Sequence, residues 1–457
     1  MEPLLLFMLV IGDEIMGLRI YNSLSNQLEE FNSIHTGKVN MYVCGPTVYN
    51  HIHIGNARPV VFYDMLKNYL EYLGYQVHYA SNITDIDDKI IHKALEEGKT
   101  EKEVAEYYEE SYFKAFEKLG SQKPEFIPHA TEYIQDMIEF IEELIKQGYA
   151  YEVDGDVFFR VGKVDNYGCL SNQVSEDLEQ GARISVNTKK ENPLDFTLWK
   201  KTDVGIKWKS PFGEGRPGWH TECVVMNHKI FHNQIDIHGG GMDLKFPHHE
   251  NEIAQSQALY KNPLAKYWTH VGRLEFEGQK MSKSKGNVIY VKDLENNKIG
   301  MIMRMVLIFT PYRNNFSYSE EIFAQYEKTF DKWQRAYKQG LYELQIQDIA
   351  LNQIDQRDLD EFEEYMNQDL NVQNVMMLIE KMVKELNVAI RSKTYETLSL
   401  KWNTLDKILR VLGIQLFVEK MTPEQIEVYK NWNEARTNKD FEQADLFRKQ
   451  LVEWNII

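Results

Sequence analysis

The stretch that most restricts this 457-residue chain is a strand–helix–strand pattern between residues 39 and 81. Asn40-Met41-Tyr42-Val43-Cys44 is a short apolar run of the kind that forms fully buried strands. Gly45-Pro46-Thr47 breaks it. From Ala57 onward Phe62, Met65, Leu66, Tyr69, Leu70 and Leu73 recur in steps of three and four, the stripe of an amphipathic helix, and Gly74 stands where such a helix stops. Tyr75, Val77 and Tyr79 then alternate as a second strand. The pattern predicts a βαβ unit and commits the chain to a layered α/β fold. His53 and Gly55 fall just before the predicted helix, where free backbone N–H groups and the helix dipole attract phosphate. Gly55 would also let a nucleotide approach the backbone closely.

A second signature lies far downstream, at Lys280-Met281-Ser282-Lys283-Ser284 with Lys285-Gly286-Asn287. Three lysines among hydroxyls suit the neutralisation of a polyphosphate whose charge shifts during transfer. Taken alone, such a run is equally an ordinary solvated loop. Together with His53-Ile54-Gly55-Asn56 it resembles the HIGH and KMSKS motifs of the class I aminoacyl-tRNA synthetases. The resemblance implies that His53, Gly55 and Asn56 face ATP, that Lys283 is the catalytic lysine, and that Lys280 supports it as pyrophosphate leaves. Asn56 replaces the second motif histidine; it hydrogen-bonds but carries no charge, so a protonated phosphate clamp is not expected there.

Cys44 closes the first predicted strand, at the carboxyl end where doubly wound sheets build their sites. Cys223 follows Gly218-Trp219-His220, and further on comes Phe246-Pro247-His248-His249-Glu250-Asn251-Glu252. Pro247 fits the first turn of a helix, and His248 and Glu252, four apart, then share a face. Two thiolates, an imidazole and a carboxylate make a candidate zinc set, the soft sulfurs favouring zinc over magnesium or calcium. The residues alone leave the other reading open, because isolated cysteines are more often buried apolar side chains. Cys169, after Asn166-Tyr167-Gly168, reads as structural.

Residues 16 to about 457 resemble the bacterial cysteinyl-tRNA synthetases. The likeness rests on Tyr42-Val43-Cys44-Gly45-Pro46-Thr47-Val48-Tyr49, Asn82-Ile83-Thr84-Asp85-Ile86-Asp87-Asp88-Lys89, Gly218-Trp219-His220, Ile237-His238-Gly239-Gly240-Gly241 and Phe246 to Glu252. It implies a zinc ion in the amino-acid pocket, held at Cys44, Cys223, His248 and Glu252, with the substrate sulfur as a further ligand. It also implies Trp219 and His220 as pocket walls, with Thr84 beside the substrate. Asp243 would orient the substrate amine or a ligand, and His238 with Gly240 and its neighbours would form an adenosine-approach loop. The competing readings are core packing for Trp219, a structural turn for Asp243, and helix capping by Asp85, Asp87 and Asp88. The implied reaction joins L-cysteine to ATP, Mg2+ accompanying the phosphates, and passes cysteine from the adenylate to tRNA(Cys). A shaped pocket separates cysteine from serine by only about 10–200-fold, whereas a site that must pair a specific group reaches about 10⁴–10⁵. Selection by zinc, with no editing domain, is therefore expected.

The implied fold is α/β: a Rossmann-type doubly wound parallel sheet over residues 16–310 with an insertion at about 110–215. A helical stem and anticodon-binding bundle over 311–410 and a small helical segment over 411–457 complete it. Within the insertion, Thr131 to Gly148 is amphipathic and Tyr151 to Val161 reads as a hairpin through Asp154-Gly155. Beyond Pro311 the chain reads as almost wholly helical, at Ser319–Leu341, Asn371–Leu386, Thr394–Leu412 and Pro423–Thr437, with Met376, Met377, Ile379, Met382 and Val383 as core. Residues 1–15 are a leader of doubtful status; Leu4 to Ile11 is apolar but short and lacks a basic flank, which argues against a signal peptide.

With 52 basic and 69 acidic residues the net charge is −17, so RNA binding should be modest and salt-sensitive. No eighteen-residue apolar run occurs, and three cysteines without framework spacing point to a reducing compartment. A monomer in the cytoplasm, with no membrane or DNA partner, is expected. Three other readings are a related ligase that passes cysteine to an amino sugar, a nucleotidyltransferase sharing the first motif, and a catalytically silent RNA-binding paralogue. The 147 residues after Thr310 argue against the amino-sugar ligase.

Overall fold

A computed structural model describes residues 17–172, 188–276, 278–280 and 288–457. At its centre lies a parallel sheet of four strands in the spatial order Ala265–Val271, Ile235–Gly241, Lys38–Val43, Gln76–Ser81. The chain runs outward from Lys38–Val43 to Gln76–Ser81, then returns to the other side of Lys38–Val43. The strand order therefore reverses between Lys38–Val43 and Ile235–Gly241, and the crevice at their carboxyl ends is where a doubly wound sheet binds ligands.

The predicted crossover helix spans Ile54–Tyr72, three residues earlier than its apolar stripe suggests. The cause is His53, which serves as its N-cap: its Nδ1 accepts from the backbone N–H groups of Gly55 (3.1 Å) and Asn56 (3.3 Å). Asn56 Oδ1 in return accepts from the His53 N–H at 3.4 Å. This is a capping box built from histidine and asparagine. The N–H groups of Gly55 and Asn56 are thus already bonded, not free for phosphate as expected. Gly74, at φ +92°, ends the helix in the left-handed conformation.

Within the insertion, helix Ile134–Lys146 buries Ile134, Met137, Ile138, Ile141 and Leu144. Ala150–Val153 and Asp156–Phe159 form the hairpin, and Asp154 (φ 52°) and Gly155 (φ 86°) both take the positive φ that such a two-residue turn requires. Phe196–Lys201 and Gly215–Pro217 extend this hairpin to four antiparallel strands.

Beyond Pro311 the chain is not helical at once. Phe316–Tyr318 first pairs in parallel with Leu274–Phe276, which also pairs with Gln279–Lys280. Six helices then follow among the described residues: Glu320–Ile346, Gln356–Asn367, Val372–Ser392, Tyr395–Val411, Pro423–Thr437 and Phe441–Glu453. Side-chain oxygens of Ser319, Asn371 and Thr422 cap three of them. Ile379, Met382 and Val383 are buried, but Met377 is 71% exposed and is not core. It lies two residues from Ile379, about 200° around the helix. No described helix is long and apolar enough to cross a membrane.

Candidate metal and substrate site

Four segments converge at the reversal point of the sheet. Cys44 directly follows Lys38–Val43, its N–H donating to the Gly239 carbonyl at 3.0 Å. Cys223 lies in helix Trp219–Phe231. His248 lies in the turn Lys245–His249, and Glu252 in the first turn of helix Glu250–Tyr260. Pro247 does not start that helix: it follows a cis peptide bond within the turn, and extended Phe246 (φ −141°, ψ 133°) delays helical backbone. The spacing of four still places His248 Nε2 2.8 Å from Glu252 Oε1.

One ligand atom from each of Cys44, Cys223, His248 and Glu252 lies within 4.8 Å of the others. The Cys44 and Cys223 sulfurs are 3.4 Å apart, Cys44 Sγ is 3.3 Å from Glu252 Oε1, and Cys223 Sγ is 3.6 Å from His248 Nε2. Both thiols are free. Two sulfurs, an imidazole nitrogen and a carboxylate oxygen in a pocket this tight fit a metal ion of the softer kind.

Charge within the cluster is shared. Burial pushes the Cys44 thiol well up, helped by Cys223 and Glu252. Burial also opposes ionisation of Cys223, but hydrogen bonds from Cys44 and His248 outweigh it and bring that thiol down to about 7. Burial disfavours the His248 cation, yet Glu252 and Cys223 raise it to about 10. Glu252 is held well below the usual carboxylate range by His238 and His248 despite its burial. His220, lowered to about 3 by burial and then by His248, is neutral. Its Nδ1 lies 3.1 Å from His248 Nδ1. A neutral His220 accepts there, so His248 donates through Nδ1, and its Nε2 faces the sulfur and carboxylate. The Trp219 ring lies 4.1 Å from the His248 ring and is 37% exposed, an outer wall instead of core.

His238 departs from its expected place. Ile235–Gly241 is a strand, not a loop, and His238 is fully buried, Nε2 2.8 Å from Glu252 Oε2 and 3.4 Å from Cys44 Sγ. With Cys44, His249 and Glu252 it forms a second group of ligand spacing that shares two members with the first. The glycines after it serve packing. A Cβ on Gly239 would sit 2.1 Å from the Tyr63 hydroxyl oxygen, which accepts from the Gly240 N–H at 2.7 Å. Sequence reasoning missed His249 and Glu222; the only available signal was their adjacency to the ligand candidates His248 and Cys223.

Thr84 is buried and donates to Glu222 Oε2 at 2.7 Å, while burial raises the Glu222 carboxyl well above its ordinary value. Asp87 caps helix Asp88–Glu97, accepting from the Lys89 N–H at 2.8 Å. Asp85 accepts from the Thr131 N–H at 3.0 Å, and Asp88 pairs with Lys200 and Arg216. Asp243 is exposed in the turn Met242–Leu244. A cleft of about 340 Å³ opens over Trp219, His220 and Glu222 and is edged by Lys190, Lys200 and Arg216. Cys169 stands apart from both ligand groups, its Sγ 3.7 Å from Glu250 Oε1 in a turn whose Gly168 and Ser171 N–H groups donate to that carboxylate. Lys280 ends its strand at the edge of the small sheet; Lys283, the residues around it and residues 1–15 lie outside the described residues.

Residues 30–328 match the family of tRNA synthetases class I (C) catalytic domains, and residues 361–417 match the DALR domain. A cysteine–tRNA ligase of Acholeplasma laidlawii is 49% identical over 440 residues, covering 96% of this chain and 100% of that protein. A cysteine–tRNA ligase of Geobacillus thermodenitrificans is 43% identical, with 96% of each chain covered. Among solved structures, methionyl-tRNA synthetase of Mycobacterium tuberculosis in complex with methionyl-adenylate is similar in fold (TM-score 0.61, 15% identity), covering 90% of this chain and 96% of that one.

Proposed function

The chain belongs to the cysteine–tRNA ligases, class I synthetases that activate cysteine with ATP and charge tRNA, and from that premise we propose that Cys44, Cys223, His248 and Glu252 hold the Zn2+ by which cysteine is selected. The observation that carries this reading is the convergence of those four donors at the point where the strand order reverses. Bound there, zinc supplies a soft acceptor that distinguishes a thiolate from the hydroxyl of serine.

The protein groups divide the remaining work. His220 orients His248, Trp219 walls the pocket, and Thr84 with Glu222 forms its polar floor. Asp243, on the exposed turn above, faces the substrate amine. Mg2+ travels with ATP, coordinated mainly by phosphates and water. His53, Gly55 and Asn56 flank the phosphates at the head of helix Ile54–Tyr72, where the helix dipole favours them although the cap already takes the Gly55 and Asn56 N–H groups. His238 and Gly240 act from beneath, positioning Glu252 and Tyr63 instead of contacting adenosine. The cysteine carboxylate oxygen attacks the α-phosphorus and the bond to the bridging oxygen breaks. Lys280 and Lys283 stabilise the charge that pyrophosphate carries away. The terminal ribose hydroxyl of tRNA(Cys) then attacks the adenylate carbonyl and AMP leaves. No protein nucleophile is needed; positioning and charge stabilisation suffice.

We assign residues 16–310 to catalysis, 311–410 to the stem and anticodon bundle, and 411–457 to a terminal helical segment, in a monomeric cytoplasmic enzyme. The DALR match and the helices beyond Ser319 favour tRNA over an amino sugar as acceptor. Cysteine-dependent ATP–pyrophosphate exchange followed by charging of purified tRNA(Cys) tests the assignment. Exchange without charging would return the amino-sugar ligase, and no exchange would leave only an RNA-binding role.

A further inference from the structure

Arg58 is a buried cation for which the chemistry so far has no use. It sits one turn into helix Ile54–Tyr72, five residues past the cap His53, and is 1% exposed. All its partners are backbone carbonyls: Nη1 donates to Gly272 (2.7 Å) and Asn314 (2.7 Å), and Nη2 donates to Pro311 (3.0 Å). Burial alone lowers it, to about 10. A guanidinium held this way, with no carboxylate bonded to it among the described residues, costs stability that an apolar side chain would spare. Packing does not explain its presence; geometry does.

The three carbonyls belong to the two roots of the small sheet. Gly272 joins Ala265–Val271 to Leu274–Phe276, and Pro311 and Asn314 lead into Phe316–Tyr318. The roots also touch each other: the Gly272 N–H donates to the Tyr312 carbonyl (2.7 Å), and a Cβ on Gly272 would lie 2.2 Å from the Asn314 oxygen. Leu274–Phe276 carries Gln279–Lys280 on its other edge. One side chain therefore fastens the helix capped by His53 to the sheet that ends in Lys280. On the far side of the same helix start, the Ile54 N–H donates to Ile289 and the Val291 N–H to Ile52, at 3.0 and 3.1 Å.

We propose that Arg58 is a positioning residue for adenylate formation: its fork of three carbonyl bonds sets the strand bearing Lys280 in register with His53 across the ATP phosphates. This rests on the assignment of His53 and Lys280 to those phosphates. Lysine at position 58 keeps the charge but offers a single nitrogen, which cannot reproduce a planar two-nitrogen fork.

The test is Arg58→Lys in the full-length, zinc-loaded enzyme. A misplacement of about 1 Å can cost about 100-fold, so kcat for cysteine-dependent ATP–pyrophosphate exchange should fall about 10–100-fold. The KM for cysteine, the bound zinc, and the rate of transfer from preformed cysteinyl-adenylate to tRNA should stay within about twofold, because none of the three uses the phosphate register. In Arg58→Lys/Lys280→Ala the two losses should be less than multiplicative, as expected of groups acting together. Equal falls in exchange and transfer, or fully multiplicative losses, would overturn the proposal. Should Arg58→Lys not fold, Arg58→Gln is judged by the same ratios. Lys280→Ala alone tests the underlying assignment. If it leaves exchange unchanged, that assignment fails; if it lowers exchange and Arg58→Lys does not, only the role of Arg58 fails.

Discussion

Replacing His220 by phenylalanine isolates what orients His248, the histidine proposed to ligate the metal. The substitution keeps an aromatic ring against Phe196 (centroids 5.6 Å apart) and leaves the bond from Gln255 to the His220 backbone carbonyl, 2.7 Å, untouched. It deletes only the acceptor 3.1 Å from His248 Nδ1. Loss of such a partner behind a metal-bound histidine typically weakens metal binding about 10–100-fold, or about 1.4–2.7 kcal/mol. The metal-free protein loses a bond as well, because His248, raised to about 10, is then a cation donating to His220. That loss partly cancels the effect and places the expected value near the lower end, about tenfold. Competition between the purified protein and a fluorescent zinc chelator at pH 7.5 measures it directly. Zinc affinity unchanged within about twofold, with the fold intact, would show that His220 does not set the His248 ring and would refute the reasoning.

Zinc affinity should also depend steeply on pH. Metal binding must displace the proton of His248, held to about pH 10, and that of Cys44, whose thiol is pushed up, so affinity strengthens as pH rises and weakens as it falls. Two protons give about a 100-fold change per pH unit, and Cys223, near 7, steepens this below neutrality; the same chelator competition from pH 6 to 8 reads the slope. Arg304→Met should destabilise the protein by about 3–5 kcal/mol, because it strands buried Asp64, whose carboxylate lies 2.6 Å from the guanidinium, along with the Leu119 and Leu412 carbonyls. Adding Asp64→Leu should restore part of the loss of melting temperature. Gly239→Ala, which drives a methyl group into the Tyr63 hydroxyl, should cost about 1–3 kcal/mol in thermal denaturation, with Tyr63→Phe recovering some of it.

Where local periodicity decides structure, the chain was readable. The βαβ unit, the hairpin at Asp154-Gly155 and the helices after Ser319 follow from apolar spacing and turn chemistry, and the first strand does lead Cys44 to the carboxyl edge of the sheet. What stayed hidden depends on side chains meeting across the fold. A histidine capping its own helix leaves no standard signature, so the apolar stripe does not show the start at Ile54 that precedes it. The facing of His238 could not be read from Ile237-His238-Gly239, since a strand buried on both sides has no outward face to set the alternation. Met377 is exposed among core neighbours, and the sequence does not show it because a run of apolar residues obscures which way a helix turns. The spacing of four between His248 and Glu252 survived an error in the helix start, because backbone from His248 onward is already helical. Arg58 and Arg304 gave no sign of burial, their partners being carbonyls and a carboxylate distant in sequence.

The most direct test of selection by the metal cluster is the ratio of kcat/KM for cysteine over serine in ATP–pyrophosphate exchange, measured on zinc-loaded and chelator-stripped enzyme. The loaded enzyme should favour cysteine by at least about 10⁴, and stripping should lower cysteine activity and collapse the ratio toward the roughly 10–200-fold of a merely shaped pocket. A stripped enzyme that is folded, retains less than one-tenth of its zinc (on the order of 0.1 per chain) and still prefers cysteine by about 10⁴ would contradict the account.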